Sequence, residues 1–328
     1  MHSGLTYLGK HSYIDLGVTM SNSREISIPN KKKVKQSIPF SNVVYDYSEI
    51  FGSQVYEERT LKYTFNIAGR PVRTKDDMNW LKTTVVNWIM KGGSKQPLYD
   101  DFFRNYYFLA EVEGGVSFIE NWQYGFLEVV FTAYPFMIAM QPEGHDIWDD
   151  FNFIFDVTQD VTFTIPAYTG DYKALSVGSS ATIAAWASAT LEGAPGNLVD
   201  DVGITRTILS VEVINETLSK RAYVLDGFTN PVLEQDILQA NKQYVDIMLI
   251  NNGTPSVTPK LKLTRADGSS LGPKISIENL DTNKVYNILG NNPINHLFQL
   301  TSGENRLRLY GHWGSEHTIE FVYHKELI

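Results

Sequence analysis

Across most of the chain, apolar side chains recur at every second position in short runs broken by Gly, Pro, Asn and Asp, which predicts strands joined by turns. One stretch, 74–112 (TKDDMNWLKTTVVNWIMKGGSKQPLYDDFFRNYYFLAEV), departs from that rhythm. Met78, Leu81, Val85, Trp88 and Ile89 fall at steps of three and four and so share one face of a helix. Thr74 with Asp77 has the form of a capping box, Asp76 and Asp77 suit the positive end of a helix dipole, and the Gly92 and Gly93 pair supplies a left-handed stop. About 16 residues of helix are about 24 Å long, enough to lie across one sheet. After it, Pro97 and the Asp100, Asp101 pair punctuate a turn, and 106–112 reads as an aromatic and apolar strand.

The strand pattern is sharpest at 60–67, where Leu61, Tyr63, Phe65 and Ile67 face one way and Thr60, Lys62, Thr64 and Asn66 the other. Upstream, residues 1–60 alternate short strand-like pieces with turns, among them Asp15-Leu16-Gly17 and Asn22-Ser23. Downstream, 116–119 follows a predicted hairpin at Gly114-Gly115, and 126–134 is apolar enough for burial on both faces until Pro135 ends it. These elements predict an antiparallel β-sandwich with one covering α-helix. The acidic stretch 141–150, with Pro142 and Gly144, predicts a domain boundary.

Beyond it, 151–165 holds two strand-like pieces, FNFIFDV and VTFTI. Residues 173–240 change texture: they are rich in small residues and show short strands at 181–185, 205–214 and 221–225. From Tyr244 the alternation resumes through Val245, Ile247 and Leu249, then Leu261 and Leu263, Ile275 and Ile277, 285–289, and Leu307 and Leu309. Asp267-Gly268 predicts a hairpin turn, and Ile319, Phe321 and Tyr323 form the predicted last strand.

The helix carrying Trp80 and Trp88, followed by QPLYDD, NYYFLAEV and a strand ending in AYPF, resembles the N-terminal domain of the distal tail protein (Dit) of siphophages that infect Gram-positive bacteria, over roughly residues 5–137. NNGTPSVTPKLKLT and LTSGENRLRLYG resemble the galectin-like second domain of that family, and VGSSATI, SKRAYVLDG and VLEQDI resemble an SH3-like module of the kind found in wall hydrolases and phage tail proteins. The resemblance implies a ring-forming domain over 1–145, a discontinuous galectin-like β-sandwich over 146–172 and 241–328, and an SH3-like β-barrel inserted at 173–240. An insertion is tolerated where its ends meet at a surface loop. Pro231 stands where the module's pattern often has Trp, which removes one aromatic from any wall-binding surface.

By the same resemblance the chain is a mainly β virion structural protein, a baseplate or tail-tip hub active in host adsorption. The resemblance implies that it self-associates as a homohexamer, in single or stacked rings, and links the tail-tube protein to a tail-associated lysin or fibre protein and to receptor-binding proteins. It implies assembly in the host cytoplasm and a place at the virion tail tip, and neither enzyme activity nor a cofactor is expected. The alternative function is a carbohydrate- or cell-wall-binding adaptor whose partner is host cell-wall glycan, since both C-terminal scaffolds host such sites without fixing them.

Composition narrows this further. Length predicts two or three domains, and 18 Tyr and 17 Phe suit strands. A net charge of −9 argues against nucleic-acid recognition. The one basic run, Lys31, Lys32, Lys33 and Lys35, reads as a solvated loop, with an acidic partner as the minority reading. No cysteine is present, so disulfides, thiolate zinc and a Cys nucleophile are excluded. The N-terminal residues lack the apolar core of a signal peptide, and no apolar run reaches bilayer length, so neither secretion nor membrane insertion is expected.

Catalytic motifs are sparse. HWGSEH at 312–317 has one residue too many for a zinc-protease H-x-x-E-H and a glycine where a helix is needed, so it is expected to be a hairpin between two strands. The pairs Asp100-Asp101, Asp149-Asp150 and Asp200-Asp201 are expected in turns, because neighbours on a strand point to opposite faces. No nucleophile elbow, P-loop or dinucleotide fingerprint occurs. Among aromatics, Trp88 lies on the apolar helix face and Trp80 lies off it. Trp80 is therefore a candidate ligand or partner contact, as are Trp186 and Tyr223 of the insert.

Overall fold

The computed structural model describes residues 4–40, 42–49, 54–67, 74–114, 116–120, 125–144, 156–167, 172–184, 187, 198–214, 221–266, 274–289, 297–311 and 316–328. It is mainly β and divides into two compact units. The first unit comprises Met1–Pro142 together with Gly253–Pro255 and His324–Ile328. Its strands are β1 (Leu5–Tyr7), β2 (Lys10–His11), β3 (Thr19–Ile26), β4 (Lys35–Ser37), β5 (Val44–Asp46) and β6 (Arg59–Asn66). The helix α1 (Lys75–Ile89) follows, then β7 (Gln96–Asp100), β8 (Tyr106–Glu111), β9 (Ser117–Glu120), β10 (Gly125–Ala133) and β11 (Met137–Ala139). The central strands run β2-β1-β7-β8-β10-β6-β3, every pairing antiparallel.

The helix forms as its sequence dictates. Thr74 accepts the Asp77 N–H at 3.1 Å while the Asp77 carboxylate accepts the Thr74 N–H at 3.0 Å, a complete capping box. Met78, Leu81, Val85, Trp88 and Ile89 are buried. Trp88 donates its indole N–H to the Tyr7 carbonyl at 2.8 Å and meets Tyr7 and Phe65 edge-on. Opposite it, β6 presents Leu61, Tyr63 and Phe65 to the core, all with no exposed surface, as its alternation requires. The stop differs from expectation. The helix ends at Met90 in the right-handed region, with its N–H shared between Val86 and Trp88 carbonyls, so the glycine pair is not needed as a left-handed cap.

Several other turn assignments are corrected. Pro97 and Asp100 lie within β7, which pairs with β1 on one side and β8 on the other. Pro97 is tolerated because the ladder to β1 begins only at Leu98, so no partner there needs its missing N–H. Asn22 and Ser23 sit inside β3, at the irregularity between Met20 and Arg24, not in a turn. Gly114-Gly115 does not join a hairpin, because β9 pairs with β10 and not with β8. Strand β10 buries one face, with Leu127, Val129 and Phe131 in the core, while its other face is half-buried.

The second unit comprises Glu143–Asn252 and Ser256–Tyr323. Its strands are β12 (Thr162–Ile165), β13 (Ser180–Thr182), β14 (Thr205–Val213), β15 (Arg221–Leu225), β16 (Val232–Leu233), β17 (Tyr244–Asn251) and β18 (Lys260–Arg265). They continue as β19 (Lys274–Asn279), β20 (Lys284–Leu289), β21 (Gly303–Tyr310) and β22 (His317–Val322). Sheets β12-β22-β18 and β17-β21-β19-β20 share one core that includes Leu249, Ile277, Phe298, Leu309 and Phe321. The sheet β13-β14-β15-β16 has its own core around Ile208, Tyr223, Leu225 and Ile237. The chain enters and leaves that small sheet side by side, where Tyr172 bridges Asn241 and Lys173 donates to the Ala240 carbonyl at 2.8 Å. Ala184 and Leu238 of the small sheet's flanks pack on Tyr310 of β21.

Two further hairpin expectations fail in this unit. Asp267-Gly268 lies outside the described residues, but β18 and β19, which flank it, lie in different sheets, and so do β21 and β22 on either side of HWGSEH. The last strand is also not β22: β23 (Glu326–Leu327) follows it and pairs with β11 of the first unit's sheet. There the Tyr134 hydroxyl donates to the Glu326 carboxylate at 2.9 Å, and Ala139 donates to the Lys325 carbonyl at 2.8 Å. Burial raises the Glu326 carboxyl above the usual range, and the Tyr134 hydroxyl is raised by burial and by the adjacent carboxylate.

Candidate functional site

Among the described residues, 30–40, 42–49 and 54–57 build an unusual surface of the first unit. β4 and β5 form a two-stranded hairpin in register Lys35 to Asp46, Gln36 to Tyr45 and Ser37 to Val44. The ladder extends toward its base through Tyr47 to Val34, Lys32 to Val55 and Glu57 to Asn30. Seven or eight residues of such a strand reach about 25 Å. Every residue of β4 and β5 is exposed. So are Val34, Ile38, Val43, Val44, Tyr45, Tyr47 and Val55, and Phe40 at the turn is wholly exposed. Tyr45 and Tyr47 stack at 6.2 Å.

The arm is internally braced. The Ser48 hydroxyl and N–H both donate to the Asp46 carboxylate, and Lys33 Nζ reaches it at 3.3 Å. These donors, the serine first, hold the Asp46 carboxyl down to about 2. The four lysines expected in a loop belong to this hairpin: Lys31 bridges Tyr56 and Lys35 opens β4. The segment 31–56 carries those four lysines against Asp46 and Glu49, so it is positive on a chain whose net charge is −9.

At the tip, Phe40 has φ 64°. A left-handed turn position is comfortable for Gly or Asn and strained for a bulky aromatic, by about 1–3 kcal/mol. The fold keeps a phenyl ring there with no core to bury it.

A second surface feature lies on the same unit. Lys82, Val86 and Met90, four residues apart on one flank of α1, face Val116, Phe118 and Leu127 of the strands across a groove of about 440 Å³ that also touches Gly114. The Lys82 ammonium sits 4.6 Å from the Phe118 ring and donates to Asn79 at 3.1 Å, so the groove's single charge is already engaged.

Of the predicted contact residues, Trp80 lies on the outer face of α1 with 72% of its surface exposed. Tyr223 is in the core of the small sheet, and its hydroxyl accepts the Leu175 N–H at 3.1 Å. Burial raises that hydroxyl's pKa, and the ring serves packing. Trp186 lies outside the described residues, as do Asp149, Asp150 and 312–315 of HWGSEH. His317 is buried within β22. Among the described residues no three His, Asp or Glu side chains gather as a metal site, and no helix there is long and apolar enough to cross a membrane.

The Asp100-Asp101 pair does more than turn the chain. Asp100 is buried, accepts Arg24 Nε at 2.9 Å and caps the Phe102 N–H at 3.0 Å, while Asp101 accepts the Gly4 N–H at 2.8 Å and meets His11 Nε2 at 3.1 Å. Because His11 Nδ1 accepts the Tyr13 and Ile14 N–H groups, its proton sits on Nε2 and points at Asp101. These bonds tie β2, β3 and the residue just before β1 to the end of β7.

No family model matches the chain, and no curated protein matches it. Among solved structures it is similar to the crystal structure of the SPP1 Dit (gp 19.1) protein, described as a paradigm of hub adsorption apparatus in Gram-positive infecting phages, with 8% identity, a TM-score of 0.49 and coverage of 99% of each chain.

Proposed function

We propose that this chain is a structural hub of a phage tail tip that assembles with copies of itself into a closed ring. The observation that carries the proposal is the exposed hairpin. A two-stranded ribbon is marginal in water on its own, and one that displays Ile38, Phe40, Val44 and Tyr45 to solvent is completed by a partner surface. A basic arm on an acidic chain favours another copy as that partner, because the arm of each copy then meets a negatively charged body. An arm docking on a different surface of its neighbour is a heterologous contact, which closes as a ring when the rotation permits and otherwise grows as a filament.

A ring of six at the virion tail tip, between the tail-tube protein and the lysin, fibre and receptor-binding proteins, is the form of the proposal that the resemblance of QPLYDD, NYYFLAEV and AYPF to distal tail proteins supports. The role is geometric and requires no covalent chemistry. The wall-binding alternative draws on Trp80, Trp186 and Tyr223; the burial of Tyr223 weighs against it.

Sedimentation of the full chain across a concentration series tests the proposal. Self-association that disappears when Val44 and Tyr45 are both replaced by Lys supports it. A chain that stays monomeric at its highest soluble concentration, or a double variant that associates as well as the parent, overturns it.

A further inference from the structure

We infer that the hairpin tip Ile38-Pro39-Phe40 of one copy seats in the groove between α1 and the β9–β10 strands of the next. The inference rests on the self-assembly reading and deepens it by naming the receiving surface. Three observations converge. The tip holds a phenyl ring fully in solvent at a positive φ, a costly placement for which the copy's own core offers no return. The groove is walled by Val86, Met90, Val116, Phe118 and Leu127, and its volume of about 440 Å³, open to solvent, leaves room for an aromatic side chain. Lys82, the one charged wall residue, is committed to Phe118 and Asn79, so the floor accepts an apolar guest without stranding a charge.

Charge orients the pair. The arm's stem is positive through Lys31, Lys32 and Lys35, and the exposed Glu113, which accepts the Thr132 hydroxyl at 3.3 Å, precedes the groove residue Gly114 along the chain. Tip and groove are different surfaces of one chain, so the contact is heterologous and repeats around a ring.

The absence of cysteine makes a direct test possible. Full-length chains carrying Phe40→Cys and Met90→Cys together are treated with a short bis-maleimide, beside each single variant. A ladder of covalent multimers from the double variant, with at most dimers from the singles, supports the inference. Phe40→Ser and Val116→Glu, checked for folding by circular dichroism, are each expected to weaken self-association by about tenfold or more. If the parent self-associates but the double variant gives no ladder, the tip docks elsewhere: the inference is overturned and the ring reading stands. A compact cross-linked monomer without a ladder also overturns it, by showing that the tip fills its own groove. If the parent does not self-associate at all, both fall.

Discussion

Among the described residues, Asp236 is a buried acid whose ionisation ties stability to pH. It lies in the short turn after β16, 6% exposed, and burial pushes its carboxyl up to about 7 against an ordinary value of 3.8. Between those two values the folded state holds a proton that the unfolded state has lost. The folded second unit therefore loses stability as pH rises from about 4 to about 7 and is flat above that. A separation of about three pKa values corresponds to about 4 kcal/mol.

Asp236→Asn keeps the shape and removes the ionisation. The variant is expected to exceed the parent by about 1 kcal/mol near pH 4.5 and by about 4 kcal/mol near pH 8, the gap growing steadily between. Comparing parent and variant at each pH cancels the contributions of Glu326, which has the same sign, and of Asp246 and Asp281, whose partner arginines lower them and give the opposite sign. Calorimetric melts of the full chain in matched buffers from pH 4.5 to 8 provide the measurement. Parallel curves for parent and variant would refute the argument, because they would mean the carboxylate ionises in the folded protein at little cost.

Other expected outcomes concern the first unit. Asp100→Ala leaves Arg24 without its buried partner and should cost about 3–5 kcal/mol by denaturant titration. Trp88→Ala should cost about 3–5 kcal/mol, and Trp80→Ala within about 0.5 kcal/mol, because one ring fills the core and the other faces solvent. Removing 324–328 takes away the β23 partner on one edge of β11, which stays paired with β8 on the other, and strips the buried Tyr134 hydroxyl of Glu326; this should lower the melting temperature and cost at least about 1–3 kcal/mol. On purified cell walls, the wall-binding alternative requires retention of the full chain; the hub account expects it to remain in solution.

The parts legible in the sequence are those fixed by neighbours along the chain. The capping box of α1, its five buried residues and the facing of Leu61, Tyr63 and Phe65 all follow from spacing alone. Pairing does not. Gly114-Gly115, Asp267-Gly268 and HWGSEH signal that the chain changes direction, but the strands beyond them pair with partners elsewhere or in another sheet. Strand β7 hides behind Pro97 and two aspartates, because its place is set by β1, some ninety residues away, and by the burial of Asp100 against Arg24. The pairing of β23 with β11 leaves no local trace.

The candidate surface includes none of Trp80, Trp186 and Tyr223, the contacts that the sequence suggests. Trp80 off the apolar stripe is exposed, as its position predicts. Tyr223 looks the same in sequence whether it binds or packs, and only its burial distinguishes the two. The hairpin was missed because its lysines suggest a solvated loop. What signal the sequence carries is the β-branched and aromatic content of 43–47, with Val34 and Ile38 on the other side of Pro39-Phe40.

Class averages of the purified full chain in the electron microscope test the central claim most directly. The account predicts closed rings with sixfold symmetry that are lost when the 31–56 arm is replaced by a short glycine-serine loop. Isolated single particles from the parent chain, or rings that persist without the arm, would contradict it.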